Sequence, residues 1–209
     1  MLEELAPRTA IAWPCCFDQF VLYDNWGMNP KFVALDRDGT VIHHVEHLQR
    51  AGDVRLLTGA GAAVRRLNDL RIPTYIVTNQ SVIGRGFITD EELTVIHERL
   101  TELLTEYGAH VDGIFYCPHV REDNCHCRKP RTGLLLQAAK LASADPSRGL
   151  VIGDNPSDML MAVAAGARAI HVQTGVIAKW ANDFGIPSVA GLADAVDLVI
   201  DGSCGDHRI

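Results

Sequence analysis

Apolar positions along the chain come in two rhythms. Short continuous runs occur at Phe32-Val33-Ala34-Leu35, at Thr74-Tyr75-Ile76-Val77, from Val111 to Tyr116, at Gly149-Leu150-Val151-Ile152 and from Ala167 to Val172. Runs of four to six residues without polar alternation fit strands covered on both faces. Between them, Ala60 to about Leu70, Thr89 to about Glu106, Leu134 to Leu141 and Asp158 to Ala165 carry apolar residues at helical spacing. Thr89 and Glu92 have the spacing of a capping box, while Gly108 and Gly166 stand where helices stop. A last strand is expected at Leu198-Val199-Ile200. Strands alternating with helices predict βαβ units, and so an α/β chain: a Rossmann-like three-layer sandwich around a mostly parallel central sheet. No insert between elements is long enough for a large cap domain.

Two stretches break the pattern. Residues 41–57 and 117–133 read as loops. Residues 1–27 have no clear period and hold Trp13, Phe17, Phe20, Tyr23 and Trp26. They are expected to be an extension outside the folded domain of residues 28–209, either a disordered tail or misassigned start before Met28, or a lid or dimerisation segment.

Bulk numbers narrow the class. A chain of 209 residues, 47% hydrophobic, supports one medium domain with a substantial core. A net charge of −7 argues against a protein that coats nucleic acid. No apolar stretch is long enough to span a bilayer, and the acidic start lacks the basic region of a secretory signal. Six cysteines in a chain of this length do not make a disulfide framework. The expectation is a cytoplasmic protein, a monomer or small homo-oligomer, without nucleic-acid or membrane partners.

The candidate chemistry lies just past the strands. Asp36-Arg37-Asp38-Gly39-Thr40 follows the first run, and at period two both carboxylates face one side. Thr78-Asn79-Gln80 follows the second, with a hydroxyl and backbone N–H groups that suit a phosphoryl group. Arg128-Lys129-Pro130 brings a fixed cation beside a guanidinium able to grip a second anion in a bidentate way. Gly153-Asp154-Asn155-Pro156-Ser157-Asp158 follows the fourth run. Asp36, Asp154 and the backbone carbonyl of Asp38 offer the hard oxygen ligands that Mg²⁺ requires. Asp158, one helical turn on, either orients Asp154 or Lys129 or serves only as an acid favoured at a helix N-terminus. Together these groups suit magnesium-dependent phosphoryl transfer through an aspartyl intermediate.

Cys117-x-His119 followed by Cys125-x-Cys127 gives three thiolates and an imidazole on one loop. That is a tetrahedral Zn²⁺ set with no open position, hence structural, and it ends two residues before Lys129. His126, between two of these ligands, is expected to point away. His43, His44 and His47 read as a solvated loop with one or two substrate contacts, a second metal being the alternative. His97, His110, His171 and His207 read as ordinary surface or core residues, and Cys15, Cys16 and Cys204 carry no convincing chemistry.

The order and identity of these segments resemble the haloacid dehalogenase superfamily of phosphatases over about residues 31–175. The resemblance implies that Asp36 is the nucleophile, Asp38 the general acid/base, and Thr78 and Lys129 the remaining catalytic groups. It also implies substrate contacts from Asn79, Gln80, Arg85 and Arg128. Thr78-Asn79-Gln80-Ser81 with Gly84-Arg85-Gly86 looks like the heptose bisphosphatase branch, and the short gap between His119 and Cys125 like the histidinol-phosphatase branch. Val82 replaces an expected glycine and Asn155 an expected lysine. The partner so implied is a small phosphorylated sugar, ahead of histidinol phosphate. A catalytically inactive zinc-stabilised binding protein is the alternative from another class.

Overall fold

The computed structural model describes residues 30–175 and 185–201. The extension at 1–27 lies outside the described residues. Six strands form one parallel sheet: β1 (Phe32–Leu35), β2 (Thr74–Asn79), β3 (Gly113–Cys117), β4 (Gly149–Gly153), β5 (Arg168–Val172) and β6 (Ser188–Val189). Their order is β3-β2-β1-β4-β5-β6, every neighbouring pair parallel. The helices are α1 (Ala60–Asp69), α2 (Ser81–Gly84), α3 (Asp90–Thr105), α4 (Gly133–Leu141), α5 (Pro156–Ala164) and α6 (Leu192–Asp201).

Strand alternation sorts the core into two layers. Val33 and Leu35 of β1 face a cluster with Val64 and Leu67 of α1, Leu93 and Leu100 of α3 and Val196 of α6. Phe32 and Ala34 face the opposite cluster, with Leu134 and Ala138 of α4 and Met159 and Ala162 of α5. The central strands are therefore buried on both faces, which explains their unbroken apolar runs. Thr89 caps α3 as the spacing predicts, its side chain accepting from the Glu92 N–H while Glu92 returns the bond.

The expected strand at Leu198–Ile200 is helix instead. Leu192, Ala195, Val196 and Val199 are buried at helical spacing along α6. The three apolar residues looked like a strand only because the window was too short to show the period. The edge strand β6 is two residues long and carries no such run. β2 extends past Val77 to Asn79, and Ser81–Gly84 form a turn of helix. Val82 is buried in that turn, packed into the α1/α3 core. Among the described residues no insertion forms a cap domain over the strand ends.

Strand order reverses between β1 and β4, so connections leave those two strands in opposite directions. A crevice opens there, past the carboxyl ends of the strands, where open α/β sheets place ligands.

Candidate active site

Asp36 follows β1 and Asp154 follows β4, on the two sides of that crevice. The chain turns sharply after the first carboxylate pair. Gly39 has φ 82° and donates to the Ile42 carbonyl at 2.8 Å, while Val41 and Ile42 donate back to the Arg37 carbonyl at 3.0 Å. A Cβ on Gly39 would lie 2.7 Å from Asp154 Oδ2, so glycine satisfies both the left-handed backbone and the close approach of the carboxylate. Thr40 Oγ1 donates to Asp154 Oδ1 at 3.4 Å. On the far side of Asp154, His171 is fully buried in β5. Its Nε2 lies 3.1 Å from the Asp154 carbonyl and its Nδ1 2.9 Å from Ser188 Oγ of β6.

One cation organises the centre. Lys129 Nζ lies 2.6 Å from Asp36 Oδ1 and 2.5 Å from Asp158 Oδ1, and donates to the Val77 carbonyl at 3.0 Å. All three side chains are buried. Burial works against the Lys129 charge, but Asp158 and Asp36 more than reverse it and hold the ammonium above its usual range. Burial likewise pushes the Asp158 carboxyl up, with Lys129 pulling it back. Asp158 has a second task. Its Oδ2 accepts from the Asn155 N–H at 3.1 Å, while Asn155 Oδ1 accepts from Ser157 N at 3.1 Å, so the two residues cap α5 reciprocally. Asn155 thus has a structural role where the resemblance led us to expect a lysine.

The Lys129 backbone is fastened to β2. Asn79 Oδ1 accepts from Lys129 N at 3.0 Å, and Asn79 Nδ2 donates to the Lys129 carbonyl at 3.2 Å. Gln80 Nε2 bridges Thr78 Oγ1 at 2.7 Å and Asp38 Oδ2 at 3.0 Å. Carboxylate oxygens of Asp36, Asp154 and Asp158 lie within 4.8 Å of one another. Asp158 is taken up by Lys129 and the Asn155 N–H, so Asp36 and Asp154 are the members of this set whose hard oxygens suit a small cation such as Mg²⁺.

The second wall is the cysteine loop. Cys117 ends β3, and its Sγ lies 3.5 Å from His119 Nδ1 and 3.5 Å from Cys125 Sγ. Cys127 Sγ lies 3.3 Å from His119 Nδ1 and 3.5 Å from Cys125 Sγ. Four thiolates or imidazoles about 2.0–2.3 Å from a tetrahedral ion stand roughly 3.3–3.8 Å apart, so the four ligand atoms fit Zn²⁺ closely. His126 is exposed. The loop docks on α2 through the Gln80 N–H to the Cys117 carbonyl, 2.7 Å, and the Gly84 N–H to the Pro118 carbonyl, 2.9 Å. Gly84 is required there, since a Cβ would meet the Pro118 oxygen at 2.7 Å. Among the described residues no third grouping of three or more His, Cys, Asp or Glu side chains converges, so His43, His44 and His47 form no further metal cluster.

Both walls enclose a cleft of about 620 Å³. Its floor, the more buried lining, holds Asp36, Asp38, Thr78, Lys129 and Asp154; its more exposed mouth is lined by His44, Glu46 and His47 and by Arg121, Arg128 and Arg131. Arg128 is tethered to the His119 carbonyl at 3.0 Å, and Arg131 to the Cys125 carbonyl and Asn124. Arg85 is exposed at the end of α2 and does not line the cleft, unlike the other expected substrate contacts.

Known proteins resemble this chain. A family model described as "HAD-hyrolase-like" matches residues 126–196. A Haemophilus ducreyi protein named D-glycero-beta-D-manno-heptose-1,7-bisphosphate 7-phosphatase is 36% identical over 156 residues, covering 71% of this chain and 86% of its own length. The chain belongs to the haloacid dehalogenase-like phosphatases. A Helicobacter pylori protein of the same name is 38% identical over 136 residues, covering 65% of the phosphatase and 78% of that protein. Among solved structures, the D,D-heptose 1,7-bisphosphate phosphatase of B. bronchiseptica, complexed with magnesium and phosphate, superposes with a TM-score of 0.74 at 27% identity. It covers 82% of this chain and 99% of its own. A putative HAD-like phosphatase from Mesorhizobium loti gives 0.69 at 27% identity, covering 85% and 88%.

Three residues in the site had drawn no functional reading from the sequence. Arg37 counted only as the spacer between two aspartates, and His97 and His171 as ordinary histidines. Arg37 and His171 are almost wholly buried, and both touch site residues. For Arg37 the signal was available. A charged residue flanked by motif carboxylates, directly after a fully apolar run, must find a buried partner.

Proposed function

We propose that the protein is a Mg²⁺-dependent phosphatase acting on D-glycero-D-manno-heptose 1,7-bisphosphate and releasing the 7-phosphate. The observation that carries this reading is a single cleft with an Asp/Lys floor and an arginine-lined mouth. The floor suits the phosphate that is cleaved, and the mouth the anion that is kept. The named activity of the relatives agrees and favours this substrate over histidinol phosphate.

In this reading Asp36 attacks phosphorus in line with the ester oxygen. Asp38 delivers its proton to that oxygen as the P–O bond breaks, which frees the sugar alcohol and leaves an aspartyl phosphate. Water then attacks the phosphorus, Asp38 takes its proton, and Asp36 is released with inorganic phosphate. Lys129 offsets the negative charge of Asp36 and of the phosphoryl oxygens throughout, and the Thr78 hydroxyl and the Asn79 N–H serve as donors to those oxygens. Mg²⁺ held by Asp36, Asp154 and the Asp38 carbonyl supplies charge neutralisation for phosphate and nucleophile. Asp158 positions Lys129. Arg128 grips the second phosphate, and Cys117, His119, Cys125 and Cys127 hold one structural Zn²⁺ that shapes this wall.

The test is turnover of the purified protein with Mg²⁺ on the heptose bisphosphate, on histidinol phosphate and on the heptose monophosphates. ³¹P NMR identifies which phosphate leaves. The expected result is preference for the bisphosphate with loss of the 7-phosphate. A preference for histidinol phosphate would overturn the substrate assignment, and metal analysis below about one zinc per chain would overturn the structural site.

A further inference from the structure

Arg37 lies between the two carboxylates of β1's end and is 1% exposed, the largest fully buried side chain of the described residues. An arginine this deep needs partners for its donors. Its Nε donates to Asp38 Oδ2 at 3.1 Å and its Nη2 to Asp38 Oδ1 at 3.2 Å, a fork on both oxygens of one carboxylate. Its Nη1 meets His97 Nε2 at 3.1 Å. His97, on α3, is itself buried, and burial together with the neighbouring guanidinium holds its ring neutral, with its pKa lowered to about 3. A neutral ring with the proton on Nδ1 presents Nε2 as an acceptor, the only form that suits an arginine donor. The ring is further confined by Tyr116 of β3, at 5.7 Å between centroids, and Tyr116 Oη donates to Asp90 Oδ1 at 2.8 Å. Arg37 is thus locked from behind by α3 and β3, and its free face is spent on Asp38.

We propose that the Arg37–His97 pair is a positioning device for the proton-transfer step at Asp38. This rests on the reading of Asp38 as general acid/base. Asp38 is half-buried and otherwise bound only by Gln80 among the hydrogen bonds above. The guanidinium fixes the plane of the carboxyl and lies opposite the negative charge that appears on Asp38 when its proton passes to the leaving oxygen. The same carboxylate, held in the same plane, receives the proton of the attacking water in the second half-reaction. Arg37 touches neither substrate nor phosphorus in this scheme. It acts through Asp38, and His97 acts through Arg37. Lysine cannot replace the fork, because it offers a point charge without planar geometry.

A leaving-group comparison isolates this role, because proton donation matters most when the departing oxygen is strongly basic. The probes are 4-nitrophenyl phosphate, whose leaving oxygen needs little help, and benzyl phosphate, similar in size but with a strongly basic leaving oxygen. In Arg37→Met, kcat/KM for benzyl phosphate is expected to fall about a hundredfold or more, and for 4-nitrophenyl phosphate by less than about tenfold. His97→Leu should shift the ratio part-way in the same direction. His97→Gln, whose amide oxygen can accept from Arg37 Nη1, should restore it. The histidine pair carries the test if Arg37→Met fails to fold. Equal losses on both esters, or equal ratios in His97→Leu and His97→Gln, would overturn the inference while leaving the phosphatase assignment intact. A wild-type protein that hydrolyses neither these esters nor the heptose bisphosphate with Mg²⁺ would overturn that assignment first.

Discussion

The two walls of the cleft are built by different means. The floor rests on strand ends at the switch point of the sheet, and its charged groups hold one another. Lys129 is shared by Asp36 and Asp158, and Gln80 joins Thr78 to Asp38. The cysteine loop has one short 3₁₀ turn, Arg121–Asp123, and few apolar side chains beyond its own thiols. Its order comes from four converging ligand atoms and from backbone bonds to α2. The walls are not independent, because Lys129 belongs to the loop by sequence and to the floor by position. A strand-built floor should survive changes that dissolve the loop, and a loop-built wall should tune substrate handling more than chemistry.

The largest effect should come from the floor alone. Asp36→Asn keeps the size of the side chain and removes the attacking oxygen's charge, while Asp158 still balances Lys129. Turnover is expected to drop by roughly 10⁴ or more with little change in Tm. Rapid-quench or intact-mass measurements should find no phosphorylated protein. Near-normal turnover in this variant would end the aspartyl-phosphate mechanism and with it the division of labour between the walls.

Loosening the loop should act differently. In Cys125→Ser, or after stripping zinc with a chelator, the far-UV spectrum should persist because the two apolar clusters of the sheet and its helices draw mostly on residues outside the loop. Activity should fall by about 10–100-fold, the range for supports one shell removed from the chemistry. KM for the bisphosphate should rise more than kcat falls, because Arg128 and Arg131 are tethered to loop carbonyls. Global unfolding on metal loss would show that the loop carries the fold as well as the pocket.

Much of this was legible beforehand, and the physical reasons differ by region. The strands before Asp36, Thr78 and Asp154 announce themselves because both faces of a parallel sheet are covered, so the run is unbroken. The cysteine loop is legible because few sequences place three thiols and an imidazole at that spacing by chance. The last helix was misread since Leu198-Val199-Ile200 is an unbroken apolar triplet although Ile200 is exposed, and the helical period appears only when Leu192 to Val196 are included. The Arg37–His97 contact spans sixty positions in the chain and depends on α3 crossing behind β1. No local pattern encodes that pairing. Arg85 fails in the opposite way. Its neighbours in sequence fit the motif, but the helical turn of α2 leaves it outside the cleft.

The seam between the walls can be tested directly. Asn79 makes both of its amide bonds to the Lys129 backbone. Asn79→Ala removes the clamp and should lower kcat by about tenfold, equivalent to the 1–1.5 kcal/mol of an ordinary hydrogen bond. Combined with Cys125→Ser, the loss should exceed the product of the two single losses, since each support holds Lys129 when the other is gone. Strict additivity would mean that zinc and Asn79 act on different parts of the site.

The smallest effect concerns the back of the floor and is read in stability. His97 is held neutral in the native state down to about pH 3, by burial first and by Arg37 second, with Asp38 pulling the other way. In the unfolded chain a histidine titrates near its ordinary value of about 6.5. Above that pH both states are neutral and His97 gives no pH dependence. As pH falls below it, the unfolded chain takes up a proton that the native ring refuses, and stability is lost at up to about 1.4 kcal/mol per pH unit from this residue alone. Arg37, Asp38 and the Tyr116 ring are the groups that face it. Urea unfolding between pH 7 and 4 should therefore show a shallower decline in His97→Gln than in the wild type, since glutamine accepts from Arg37 without titrating. Parallel curves would mean that the ring takes up its proton in the folded state, and that Arg37 is not held from behind by a neutral acceptor.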